Sequence, residues 1–250
     1  MPLLSVDQLE MRFGERLIQT GVTFQVEKGT IFAIMGGSGC GKSTLLKHMV
    51  GLLPPAAGSV SYNGVDYWQC AQAQQAQLRA GFGMLFQSAA LFDSMTVAEN
   101  VGFAFRRNKG MSESEIRKRV AEALEVVELG GIENKKPSEL SGGMRKRVGL
   151  ARAIVYQPQI VLYDEPTTGL DPIVSDSIDK LIMRVRDRFK VTSVVVTHDM
   201  RSARRVGNHV LMLHDKKIYA NCTPESLFAS TDPVVRQFID GVADPQEIQF

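Results

Sequence analysis

The chain has 250 residues, 44% of them hydrophobic, and a formal net charge of +2 from 29 Lys and Arg against 27 Asp and Glu. That length suits one α/β domain with a sizeable core, and the near balance of charge excludes a nucleic-acid footprint as its organising feature. Cys40, Cys70 and Cys222 lack CxxC spacing, which excludes a disulfide framework or a zinc site and points to a reducing, cytosolic compartment.

The first residues carry no basic stretch leading into an apolar core, so no signal peptide is expected. Nor does any run of roughly 18 apolar residues suggest a membrane span. Residues 4–6, 22–26 and 30–34 read as short strands, the second with period-two alternation, and Lys28-Gly29 makes the turn before the third. A glycine-rich loop over 36–41 leads into a helix predicted at 42–50, which Gly51 and the Pro54-Pro55 pair end. Asn63-Gly64 predicts a hairpin within 58–67. Gln- and Ala-rich residues 69–77 suit an exposed helix.

Residues 83–87 read as a buried strand ending on the polar Gln87. From Ser88 to about Gln157 the pattern turns helical. Ser112 and Glu115 form a capping box, and Ile116, Val120, Leu124 and Val127 follow on one helix face. Residues 160–163 and 193–196 are continuous apolar runs, as strands buried on both faces of a parallel sheet require. A helix over 174–189 lies between them, giving the strand–helix–strand order of an α/β fold. Beyond residue 207 the pattern gives a strand at 209–213, a turn and two short helices.

Gly36-Gly37-Ser38-Gly39-Cys40-Gly41-Lys42-Ser43 fits the phosphate-loop pattern G-x-x-x-x-G-K-[ST] and sits between a predicted strand and a predicted helix. In such a loop the N–H groups cradle phosphates, Lys42 reaches the β- and γ-phosphates and Ser43 is a Mg²⁺ ligand. Cys40 reads as a small residue tolerated in the loop; the side prediction is a thiol made sensitive to alkylation by helix-end N–H groups that lower its pKa. Asp164 and Glu165 end the apolar run at 160–163. Asp164 suits Mg²⁺, directly or through water, and Glu165 suits orienting or deprotonating an attacking water. His198 emerges at the same sheet edge one strand later, and the Gln87 amide ends a further strand there. The basic runs Arg145-Lys146-Arg147, Arg204-Arg205 and Lys216-Lys217 read as solvated charge.

The stretch Leu140-Ser141-Gly142-Gly143-Met144-Arg145-Lys146-Arg147-Val148 carries a second anion-binding signal. Ser141 is a favoured helix cap, Gly142 and Gly143 let a phosphate approach the backbone, and the following helix aims its N–H groups and positive dipole end outward. A chain with two such surfaces either binds two nucleotides or shares one with a neighbour.

With these pieces in order, residues 4–230 resemble the nucleotide-binding subunit of ATP-binding cassette (ABC) transporters. The matching motifs are a Walker A loop at 36–44, which includes Thr44, a Q-loop at Gln87, the signature at 140–143, a Walker B strand at 160–165, a D-loop at Gly169-Leu170-Asp171-Pro172 and an H-loop at His198. Phe13 matches the aromatic position that stacks on adenine. The resemblance implies a P-loop NTPase fold with a mainly parallel sheet and N-terminal antiparallel strands. It divides a single nucleotide-binding domain into a RecA-like core (about 1–87 and 159–220), a helical subdomain (about 88–158) and a tail (about 221–250).

It further implies ATP and Mg²⁺ as cofactors and a homodimer that buries two ATPs. Lys42, Glu165 and His198 would be catalytic. Phe13, the loop from Gly36 through Thr44 and Gln87 would bind ATP in one subunit. Ser141, Gly142, Gly143 and Asp171 would bind it from the other, with Ser43, Gln87 and Asp164 as Mg²⁺ ligands. Gln87 and residues 88–105 would relay hydrolysis to a membrane permease, placing the chain on the cytoplasmic face of the inner membrane with no nucleic-acid partner.

Within the family, residues 84–101 and 232–241 look like the ATPase subunit of MCE-type, Mla-like phospholipid transport systems, whose further partners are MCE-domain and small accessory subunits. Relatives in that group can carry a longer C-terminal extension that embraces the paired subunit, whereas few residues follow Asp244 here. The competing readings are a small-solute importer ATPase, for amino acids or metal ions, and a soluble ABC protein of DNA repair or translation. Against the last, the chain has one cassette and no long coiled-coil insertion.

Overall fold

The computed structural model describes residues 2–105 and 110–242. Residues 106–109 of the expected helical insertion and 243–250 of the expected tail lie outside the described residues.

Two sheets form the frame. In the first, β1 (Leu4–Phe13), β2 (Arg16–Val26), β4 (Ala57–Tyr62) and β5 (Val65–Asp66) pair antiparallel in the order β2-β1-β4-β5. The second has the order β10-β9-β3-β8-β7-β6, built from β3 (Ile31–Gly36), β6 (Phe82–Leu85), β7 (Ile160–Asp164), β8 (Thr192–Thr197), β9 (His209–His214) and β10 (Lys217–Cys222). Its β9, β3, β8, β7 and β6 run parallel, and β10 returns antiparallel on β9. The expected mainly parallel sheet with N-terminal antiparallel strands is therefore what the chain forms.

Each residue of β3, β7 and β8 is buried, so apolar side chains occupy both faces and no alternation survives in the sequence. β2 shows the opposite case: Val22, Phe24 and Val26 face inward while Thr23 and Gln25 face solvent. Leu4, Val6, Val22, Phe24, Phe32, Ile34, Leu45 and Leu46 share one core between the two sheets and α1 (Lys42–Met49).

The first two strands run further than the pattern predicts. β1 changes register between Val6 and Leu9 and again before Met11 and Arg12, and Gln8 adopts a left-handed φ of 46°. These irregularities break the alternation after residue 6 and hide the strand's second half. β10 is also absent from the pattern: as an edge strand, half of its side chains stay exposed. Conversely, β6 stops at Leu85, so Gln87 lies two residues beyond the strand rather than on it.

The insertion is helical, with α3 (Val97–Val101), α4 (Glu113–Val126) and α5 (Gly142–Ile154), after α2 (Gln72–Ala80), which buries none of its side chains. Both halves of the capping box are made at Ser112 and Glu115, and a second box joins Thr96 to Glu99. Asn100 is fully buried; its amide accepts from Phe92 N and donates to the carbonyls of Phe92, Met95 and Thr96 at 3.0–3.2 Å. That single side chain closes the loop bearing the exposed Phe92, whose ring lies 4.7 Å from that of Phe103.

After β7 come α6 (Pro172–Phe189) and α7 (Met200–Val206), and the chain ends its described part with α8 (Pro224–Phe228) and α9 (Pro233–Asp240). α7 was not expected: its seven residues include Arg204-Arg205, which read only as a basic run. Asp199 caps it, accepting from Arg201 N and Ser202 N.

Candidate functional site

Parallel pairing brings the chemistry together. In register, Met35 lies beside Thr197, Asp164 beside Val196 and Leu85 beside Tyr163, so the C-terminal ends of β3, β8, β7 and β6 share one sheet edge. The phosphate loop, His198, the Asp164-Glu165 pair and Gln87 leave from that edge, where open α/β sheets bind ligands.

Gly41 forms the N-cap of α1 at φ 96°, and a Cβ there would sit 2.7 Å from Ile18 Cγ2, so glycine is required by conformation and by space. The Lys42 ammonium, 7% exposed, donates to the carbonyls of Gly36 (2.9 Å) and Gly37 (3.0 Å) and stands 3.9 Å from Glu165 Oε1. Ser43 Oγ donates to Asp164 Oδ1 at 2.8 Å. Burial raises the Asp164 pKa, with the Ser43 bond and the charges of Lys47 and Lys42 opposing it.

Glu165 takes up a left-handed φ of 48°, unusual for a side chain without a local hydrogen bond to its own backbone. Its Oε2 lies 2.8 Å from His198 Nδ1 and accepts from Thr168 Oγ1 at 3.0 Å and from His198 N at 3.4 Å. Phe13 (56% exposed), Ser38, Gly39, Gly41, Lys42, Ser43, Thr44, Gln87, Glu165 and His198 line one cleft of about 480 Å³. Phe13 is thus an exposed wall of the cleft and not a core residue, and Arg16 and Ile18 join it there. The sequence reading missed Arg16; its proximity in sequence to Phe13 was the available signal.

Ser141, Gly142, Gly143 and Asp171 are not among the walls of this cleft. Ser141 caps α5, accepting from Met144 N at 3.3 Å, and is exposed. Gly143 is buried, and a Cβ there would come within 2.7 Å of Val174 Cγ1, so its bareness serves the packing of α5 on α6 as well as any approach of a phosphate. Asp171 caps α6 through Ile173 N and Val174 N.

The reading of the basic runs needs correction, and so does the side prediction for the Cys40 thiol. Arg145-Lys146-Arg147 is not a solvated run. Lys146 is 5% exposed and bonds the carbonyls of Gln87 and Glu165, while Arg147 bonds the Val127 carbonyl, Glu128 and Ser177. Arg204-Arg205 and Lys216-Lys217 do stay exposed, although Arg205 also pairs with Asp176 and with the buried Asp179. For Lys146 the reason is visible in α5, where it occupies the buried stripe with Gly143, Leu150 and Ala153. For Cys40, burial outweighs the Lys42 charge and the backbone N–H groups, and its pKa is raised rather than lowered. The thiolate then forms only at higher pH. Alkylation of Cys40 by iodoacetamide at pH 7, read by mass spectrometry, is expected to run slower than that of a short cysteine peptide and to accelerate with pH. A rate above the peptide's would refute this.

A phosphate loop backed by a Ser–Asp pair and a Glu–His pair at one sheet edge defines a P-loop ATPase, and the helix capped by Ser141 lies outside its cleft. Residues 19–168 match the family model described as ABC transporter. The chain belongs to the ABC transporter family, as its ATP-hydrolysing cassette. It is 43% identical over 238 residues to the "probable ribonucleotide transport ATP-binding protein mkl" of Mycobacterium leprae, covering 95% of this chain and 69% of that protein. It is 40% identical over 242 residues to the "intermembrane phospholipid transport system ATP-binding protein MlaF" of Haemophilus influenzae, covering 97% and 92%. Among solved structures, cbiO1 from Clostridium perfringens superposes with a TM-score of 0.84 at 28% identity over 94% of each chain. The dimeric cassette MJ0796 bound to ADP and Pi gives 0.79 at 31% identity, over 88% of this chain and 98% of that one.

Proposed function

We propose that the chain is the motor of a transporter that moves phospholipid between bacterial membranes, working as a homodimer beneath an integral membrane permease. The observation that supports the dimeric motor is the separation of the cleft at Lys42 from the α5 N-terminus, which a second copy would supply. Each subunit would offer Ser141, Gly142, Gly143 and Asp171 to the ATP held by the other, across an isologous interface. A dimeric cassette among the similar structures supports the same arrangement.

Within one subunit, Lys42 and the loop N–H groups would bind the phosphates and Phe13 would stack on the adenine. Glu165 would accept a proton from the attacking water, with His198 holding its Oε2. Ser43, Asp164 and the Gln87 amide offer only hard oxygen donors, a set that fits Mg²⁺. Bound there, Mg²⁺ would neutralise charge developing on the phosphates. The segment 88–158 would move as a helical subdomain on the core.

The phospholipid cargo rests on likeness to MlaF across nearly both whole chains. MCE-domain and small accessory subunits are proposed as further partners. No helix among the described residues is long and apolar enough to cross a membrane, so attachment to the cytoplasmic face of the inner membrane would come from the permease. The name of the mycobacterial relative favours a second reading, transport of ribonucleotides. Affinity purification from detergent extract separates the two. A co-purifying permease whose ATPase rate rises with phospholipid supports the first reading; stimulation by ribonucleotide and not by lipid supports the second. Recovery with nucleic acid alone overturns both.

A further inference from the structure

We propose that Lys146 is a positioning residue for hydrolysis: its buried ammonium fixes the backbone at Glu165 and Gln87 and ties both to the helix that Ser141 caps. The inference rests on the reading of Glu165 as the group that activates water.

Lys146 lies one turn into α5, five residues beyond Ser141. Its Nζ donates to the Glu165 carbonyl at 3.0 Å and to the Gln87 carbonyl. Among the described residues no carboxylate bonds it; burial disfavours its charge, and the nearby Glu165 and Asp164 favour it. A buried ammonium is costly to desolvate, so a sequence that only needed to fill this space would place an apolar residue there. What the ammonium does, which a methionine could not, is hold two loop carbonyls at once.

Both carbonyls belong to segments that carry chemistry and have little regular structure of their own. Glu165 sits in the left-handed region immediately after β7. Gln87 lies past the end of β6 and is followed by Ala89 and Ala90, also left-handed at φ 61° and 47°. Arg152, on the same helix, bonds the carbonyls of Ala89 and Ala90 at 2.6 Å each. Helix α5 therefore grips the Gln87 segment at three carbonyls and the Glu165 carbonyl at one. Its N-terminus faces the other ATP of the proposed dimer, so displacement of α5 there is transmitted through Lys146 to Glu165 in its own subunit.

The test compares the full-length chain, purified with its co-purifying membrane subunits, with Lys146→Met, Lys146→Gln and Glu165→Gln. Lys146→Met is expected to keep ATP affinity and KM within about threefold while kcat falls about 10–100-fold, the scale of a misplaced catalytic group. Lys146→Gln, which retains a donor but reaches one carbonyl, should fall between the two. It serves as the folded reference if the methionine variant is unstable. A normal kcat in both Lys146 variants beside an inactive Glu165→Gln overturns the proposal alone. Full turnover in Glu165→Gln removes the Glu165 reading and the proposal with it. Parallel loss of melting temperature, ATP affinity and kcat in the glutamine variant would assign Lys146 a merely structural part.

Discussion

Glu165→Gln is expected to hydrolyse ATP about 10²–10⁴-fold more slowly than the parent chain while binding it as tightly. The substitution keeps the shape and one carbonyl oxygen, so the Thr168 hydroxyl and His198 keep an acceptor in the geometry they have now. What it removes is the capacity to take a proton. Binding should survive because the phosphates are held by the loop N–H groups and by Lys42, whose ammonium is anchored on Gly36 and Gly37 and lies 3.9 Å from Glu165. Losing that nearby carboxylate charge leaves Lys42 freer to meet the γ-phosphate, so affinity should hold or rise. Phosphate release under steady state and equilibrium ATP binding measure the two quantities separately. Undiminished turnover in the variant would assign water activation to another group.

The second large effect is expected at Ser141→Arg, far from the cleft of the same subunit. The serine is exposed and its structural contribution is one cap bond to Met144 N, so losing it costs about 1 kcal/mol and leaves the fold intact. In the proposed dimer an arginine there would project into the space of the ATP γ-phosphate held by the partner, and hydrolysis should vanish while each subunit still binds ATP. Mixing this variant with Lys42→Ala gives a sharper measurement. A heterodimer of the two has one site carrying both lesions and one carrying neither, so at most one site per dimer should regain turnover. Hydrolysis by Ser141→Arg alone at the parent rate would show that the cleft is complete in one chain.

Most of the site was readable because its residues follow strands whose apolar runs are unmistakable. Once residues 160–163 and 193–196 are recognised as neighbouring parallel strands, Asp164, Glu165 and His198 must leave at the same sheet edge. The same logic reached Gln87, although its strand ends two residues early. What stayed hidden has a common cause: those residues act through tertiary contacts that no local period reports. Lys146 and Arg147 look like surface charge until α5 is packed against the Gln87 segment and α6. β1 loses its alternation to irregular register, and β10 is an edge strand with little to bury. For Cys40, the sequence supplies the N–H groups that would lower its pKa but not the burial that overrules them.

The closed loop around Asn100 lies in the segment proposed to relay hydrolysis to a membrane partner. A segment of this kind usually surrenders conformational entropy when something docks on it, at about 1–2 kcal/mol for each residue fixed. Here one amide already accepts from Phe92 and donates to three carbonyls, so the loop presents Phe92 in a single arrangement before contact. A partner that docked on that ring would meet a surface with its shape already set, leaving more of the contact free energy for pulling or pushing on it.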